Sequence, residues 1–144
     1  MNFQTKNNHY WEITDKKIIE ILMEAMITEE KHIDYYTKLI KMTNVGEEKN
    51  IMKSILADEI KHRKLLGSIY ESILGKQGVT SPVDSYVGGD FSRACSTGAL
   101  DKFESVELYK GLYLMVRPSG VRDVLFDILM DEQSHINKLL YISR

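Results

Sequence analysis

One cysteine, Cys95, is all that this chain holds. That excludes an intrachain disulfide, a structural zinc site of several cysteines and a rubredoxin-type iron centre. Any metal must be held mainly by oxygen and nitrogen. Proline is scarce too, with two residues against 43% hydrophobic and 28% charged ones in 144, a balance that rules out disordered and fibrous chains and suits one folded domain. There is no excess of positive charge: the formal net charge is −2, so no basic field draws the protein to nucleic acid or to anionic lipid. Nowhere do eighteen apolar residues run together, and none of the segments predicts a membrane span. Residues 1–17 are polar and charged throughout, without an apolar core of signal-peptide type, and a cytoplasmic protein is expected.

What the chain does have is helical periodicity. Ile18, Leu22, Ala25, Met26, Ile33, Tyr36, Leu39 and Ile40 recur mostly at spacings of three and four, which predicts a first helix from Thr14 to about Met42 with one buried face. Thr14 or Asp15 is the expected cap, because a side-chain oxygen there accepts an unpaired amide proton of the first turn. Asn44-Val45-Gly46 reads as a left-handed stop, and Met52, Ile55, Leu66, Ile69 and Ile73 mark a second helix ending at Gly75. Periodicity then lapses from 75 to 96 among Gly78, Ser81, Pro82, Asp84, Gly88, Gly89 and Asp90. A third helix is expected from about Thr97 to Val116 and a fourth from about Val121 to Ser143, separated by Arg117-Pro118-Ser119-Gly120. The pattern is hairpin, long crossover, hairpin: an all-α antiparallel four-helix bundle of ferritin-like connectivity, one domain over 1–144.

The chemistry sits on the second helix of each hairpin. Asp58-Glu59-x-x-His62 and Asp131-Glu132-x-x-His135 place a carboxylate and an imidazole side by side, three residues apart, on the apolar stripe. Burying an unpaired carboxylate costs several kcal/mol or neutralises it, so two such intrusions into one core need compensation, and a shared cation supplies it. Two surface salt-bridged helices are the plainer alternative, which the inward phase and the duplication disfavour. The first helix of each hairpin should add a further carboxylate. On helix 1 the inward face passes through Glu29, while Glu30 turns outward. On helix 3 the face of Leu100, Leu108, Gly111 and Leu112 passes near Glu104 and Glu107. Glu29 lies 30 residues before Glu59, Glu104 lies 28 before Glu132 and Glu107 only 25, so Glu104 is the expected partner of Glu29. The hairpins then repeat with an offset of 75 at the first glutamates and 73 at the Glu-x-x-His motifs. Four glutamates and two histidines are the ligand set of a carboxylate-bridged dimetal centre, which suits two iron ions, with manganese or zinc also compatible.

These residues resemble the rubrerythrin-like branch of the ferritin-like superfamily from about Lys17 to Tyr141. The matching pieces are Glu29 with Tyr36, Asp58-Glu59-x-x-His62, Glu104-x-x-Glu107 with Tyr109, and Asp131-Glu132-x-x-His135. The resemblance implies Glu29, Glu59, His62, Glu104, Glu132 and His135 as ligands. It further implies Glu107 as an additional ligand in the oxidised state and Tyr36 as a tyrosine beside the centre. His32, three residues after Glu29, would replace a carboxylate or hydrogen-bond one. The implied activity is reduction of hydrogen peroxide, or dioxygen, by a diiron centre. Rubrerythrins carry a four-cysteine iron domain that feeds in electrons, and this chain has Cys95 alone, so an external electron-donor protein is expected. Ferritin-like oxidation and storage of ferrous iron, or a non-catalytic metal-binding module, are the alternative expectations. A homodimer through an exposed stripe of Leu129, Ile136 and Leu140 is the expected assembly.

Overall fold

In a computed structural model, which describes residues 15–144, the chain is all-helical among the described residues: α1 (Asp15–Ile40), α2 (Gly46–Leu74), α3 (Phe91–Met115) and α4 (Ser119–Ile142). They form a four-helix bundle, α1 packed on α2 and α3 on α4 as hairpins, with α1 also on α3 and α2 on α4. The expected capping of α1 by Thr14 or Asp15 falls outside the side chains described, as do His9 and Trp11.

The core is in two parts. One apolar cluster gathers Leu22, Met26, Leu66, Ile69, Tyr109, Leu112, Leu125 and Ile128. The other gathers Tyr36, Leu39, Met52, Ile55, Cys95, Ala99 and Leu139. Between the two, each helix puts a pair of polar residues three apart into the interior: Glu29 and His32, Glu59 and His62, Lys102 and Ser105, Glu132 and His135, all of them buried. Reading each helix from one cluster to the other shows α1 and α4 running one way and α2 and α3 the other. The parallel α2 and α3 are what the long connection makes possible. α3 has 25 residues, about 37 Å at 1.5 Å per residue, and an extended chain of the length of 75–90 spans about 50 Å.

That crossover starts where Gly75 adopts φ 69° and caps α2, its N–H bonded to Glu71 O, a left-handed conformation that a Cβ disfavours. It then follows α1. Thr80 reaches Glu30 (3.3 Å), the Ser85 hydroxyl donates to Lys31 O (3.1 Å), the Ser85 N–H donates to Asp34 (2.7 Å), and Lys38 Nζ donates to Asp84 (2.6 Å).

Three expectations are corrected. α3 begins at Phe91, six residues earlier than expected, because Asp90 accepts the Arg93 N–H and caps it; the crossover is therefore 75–90. Gly46 is the first residue of α2 after Val45 and has no positive φ, so no left-handed stop is formed there. The stripe on α4 is not an exposed face: Ile136 is buried and Leu129 half-buried, leaving only Leu140 open to solvent.

Cys95 is fully buried in the second apolar cluster, and burial pushes its thiol up to about 12. Cys95 should stay unmodified by iodoacetamide at pH 8 in the folded protein and react at the rate of a free thiol in urea. Intact-mass measurement reads this directly, and rapid native labelling would contradict the packing described.

Candidate metal centre

The polar layer is built by phase. Glu59, His62, Leu66 and Ile69 on α2, and Glu132, His135, Ile136 and Leu139 on α4, are buried along single stripes. Their carboxylates and imidazoles thus enter the interior together. Glu29 enters from α1 with zero exposure. Glu30, one residue on, faces the rim and accepts from Arg63 Nε at 2.8 Å.

Outside this layer the two histidines are held by each other's hairpin. His62 Nε2 lies 2.9 Å from Asp131 Oδ2, and His135 Nε2 lies 2.8 Å from Asp58 Oδ2. Lys61 Nζ caps the pair of aspartates from the surface, 3.0 Å from Asp131 and 3.8 Å from Asp58. A carboxylate on Nε2 places the imidazole proton there and turns the Nδ1 lone pair inward, the arrangement by which an outer carboxylate prepares a histidine to ligate. His62 Nδ1 is buried without a hydrogen-bond partner, and so is Glu29 Oε2, whereas His135 Nδ1 lies 2.9 Å from Glu59 Oε1. Buried polar atoms are seldom left so. Glu29, Glu59, His62 and Glu132 each present a ligand atom within 4.8 Å of the others. This buried group could hold a metal ion, and the donor set of carboxylate oxygen and imidazole nitrogen fits a divalent transition metal.

The expected fourth carboxylate is absent from the layer. Glu104 and Glu107 are both exposed on α3, Glu104 at the edge of a surface groove between α1 and α3. In their place stands Lys102, with no exposure at all. Its Nζ donates to Glu59 Oε1 at 2.5 Å and to Glu132 Oε1 at 3.0 Å, and lies 3.2 Å from His32 Nδ1 and 5.5 Å from the centre of the Tyr36 ring. The correction is one of helical phase. Leu100, on which the expected inward face of α3 was set, is 63% exposed. The real face is Cys95, Gly98, Ala99, Lys102, Ser105, Tyr109 and Leu112, mostly small or polar residues that hydropathy does not mark. Glu104 is two residues from Lys102, about 200° around the helix. A signal was nonetheless present. The offset of 73 that relates Glu59 to Glu132 and His62 to His135 also relates Tyr36 to Tyr109 and Glu29 to Lys102.

His32 does hydrogen-bonding duty: its Nδ1 lies 3.0 Å from Glu59 Oε2. Tyr36 is fully buried with its hydroxyl unpartnered, and α3 leaves room for it only through Gly98, where a Cβ would come within 2.9 Å of that oxygen. Its counterpart Tyr109 donates its hydroxyl proton to Glu29 Oε1.

The charges divide unevenly. Burial and the neighbouring Glu59 hold Glu29 well above the usual carboxyl range. Burial would raise Glu59 as well, but the Lys102 charge, with contacts from His135 and His32, keeps it well below. Glu132 is raised by burial and by Glu59 and lowered by Lys102 and the histidines, to about 2. Burial would lower His135, and its contacts with Glu132 and Glu59 lift it to about 9. Burial would likewise lower Lys102, which Glu59, Glu132 and Glu29 hold above its ordinary value.

Comparisons with known proteins leave the family open. No family model matches the chain, and no solved structure matches it. A Bacillus subtilis (strain 168) protein described as uncharacterized protein YhjR is 26% identical over 127 residues, covering 88% of this chain and 87% of that protein.

Removing the Lys102 ammonium strands two buried carboxylates. Lys102→Met should cost about 3–5 kcal/mol of stability in the presence of EDTA, read from urea unfolding monitored by circular dichroism. An unchanged midpoint and slope would show that these ion pairs contribute nothing in solution.

Proposed function

We propose that the protein is a metal-dependent oxidoreductase that reduces hydrogen peroxide, or dioxygen, at the buried layer, in the manner of the rubrerythrin-like proteins its motifs resemble. The observation that supports this reading is the coincidence of four ligand atoms within 4.8 Å with the inward, unpartnered Nδ1 of His62, backed by the Asp131 carboxylate. Iron is the first candidate, with manganese and zinc compatible by ligand type. When bound, such an ion supplies redox chemistry that no side chain of this chain offers. The chain's own residues do the rest. Glu29, Glu59, His62 and Glu132 would hold the ion, Asp131 would orient His62, and the apolar clusters on either side keep bulk water out. Tyr109 keeps a hydroxyl proton at a Glu29 oxygen, beside the reacting centre.

Reduction of peroxide to two waters consumes two electrons and two protons. The buried lone thiol of Cys95 supplies no electron relay, so a separate redox protein of the same compartment, expected to be the cytoplasm, would supply the electrons, two for each peroxide, of which a single ferrous ion would hold one. A second reading is favoured by Lys102, whose fixed ammonium holds Glu59 and Glu132 against the rearrangements that carboxylate-bridged redox centres use. Here the protein binds a metal without turning over.

Anaerobically purified protein loaded with ferrous iron and mixed with hydrogen peroxide in a stopped-flow spectrometer separates the two. Oxidation within seconds is the expected result. Bound iron that peroxide leaves reduced would establish the non-catalytic module, and protein that refuses every divalent metal would end both readings. Asp131→Asn should weaken metal binding about 10- to 100-fold by loosening His62, measured by competition against a chelating dye.

A further inference from the structure

The layer has a pseudo-twofold symmetry that is broken on α1 and α3. Under the 73-residue offset Asp58, Glu59 and His62 map onto Asp131, Glu132 and His135, Tyr36 maps onto Tyr109, and each aspartate holds the other hairpin's histidine. The apolar neighbours keep the same register, with Leu39 onto Leu112, Ile55 onto Ile128, Leu66 onto Leu139 and Ile69 onto Ile142, all buried. The mapping fails at two places, and only the one where Glu29 meets Lys102 exchanges a carboxylate for an ammonium; the other sets Ser105 against His32, which reaches Glu59 Oε2 at 3.0 Å. A dimetal site on this plan needs two equivalent halves, each with one carboxylate from α1 or α3 and one histidine from α2 or α4, sharing Glu59 and Glu132 between them. The α1 half is complete: Glu29 Oε1 and Glu132 Oε1 lie 3.8 and 3.5 Å from His62 Nδ1. In the α3 half, Lys102 Nζ sits within 3.0 Å of both shared glutamates, where a second cation would sit.

Resting on the metal-binding reading above, we infer that Lys102 is a built-in substitute for the second metal ion, so that the centre takes one divalent ion, on Glu29, Glu59, His62 and Glu132, and not two. Charge supports the count. Replacing a carboxylate by an ammonium changes the layer by two positive charges, which is what one divalent ion brings. With the aspartate–histidine pairs common to both halves set aside, three glutamates, one lysine and one divalent ion sum to zero, as four glutamates and two divalent ions would. A second ion beside Lys102 would leave two uncompensated positive charges in an interior of low dielectric, which is prohibitive. Space agrees with charge. The ammonium blocks the shared oxygens from the α3 side, and an ammonium has no lone pair to offer a metal.

The test is a metal titration of the full chain and of Lys102→Glu, with cobalt(II) as the probe under anaerobic conditions. Visible absorption gives the end point, and mass spectrometry after desalting gives ions per chain. One ion for the wild type and two for Lys102→Glu is the expected result, the twofold rise coming from a single substitution. Two ions in the wild type would overturn the inference and leave the proposed function standing. One ion in both proteins would also overturn it, since something other than Lys102 would then set the count. No ion in the wild type would overturn the metal reading itself and the inference with it. Circular dichroism establishes that Lys102→Glu is folded. Should it not fold, the paramagnetic resonance of the cobalt-loaded wild type decides alone: an uncoupled single-ion signal supports the inference, and a coupled pair overturns it.

Discussion

The contact of the Lys102 ammonium with Glu59 and Glu132 is the constraint on which the rest of the molecule depends. Two carboxylates buried side by side repel each other and lose their hydration, which without compensation would force protonation or unfolding. The lysine crosses from α3 to meet one glutamate from α2 and one from α4, so it ties the two hairpins together at the level where the apolar core is interrupted. The helices above and below that level pack as any bundle does. The position of the polar layer fixes which residue of each helix stands opposite which.

The polar layer also explains the unusual company on α3. α3 admits a lysine head group beside the Tyr36 ring and two tyrosines over Gly98, and its buried face is Ala, Cys, Gly, Ser and Lys with Tyr109 and Leu112 at the far end. Apolar mass comes from the partners instead: Tyr35 and Tyr36 from α1 lie over Gly98, with the Tyr35 hydroxyl donating to Ala94 O at 2.7 Å. Lys102 and Tyr36 thus face each other, cation over ring, across a helix contact that only small residues allow. Symmetry at the layer and asymmetry along α3 are two sides of the same substitution, which swaps the sign of one charge and reshapes the helix that carries it.

Much of this was legible in the chain before folding. Four helices, the hairpin pairing and the crossover follow from spacing and from the turn residues between them. Glu29, Glu59, His62, Glu132 and His135 could be placed inside because each continues a stripe of Ile, Leu and Met. α3 defeated the same reasoning. Its stripe is not apolar, Leu100 and Phe103 point outward, and a buried lysine looks in sequence like any solvated one. The choice of Glu104 assumed that a site needing four carboxylates must find the fourth nearby.

The sequence by itself determined which residues share a helical face, because a period of 3.6 residues is a local property of the backbone. It determined the duplication too, since a constant offset can be read without knowing what the repeated residues touch. Only the tertiary structure decided the sign of the charge at the fourth corner. That depends on the rotation of α3 against three other helices, which is set by how small residues let it approach α1 and by two glutamates distant in sequence that give a buried ammonium somewhere to go.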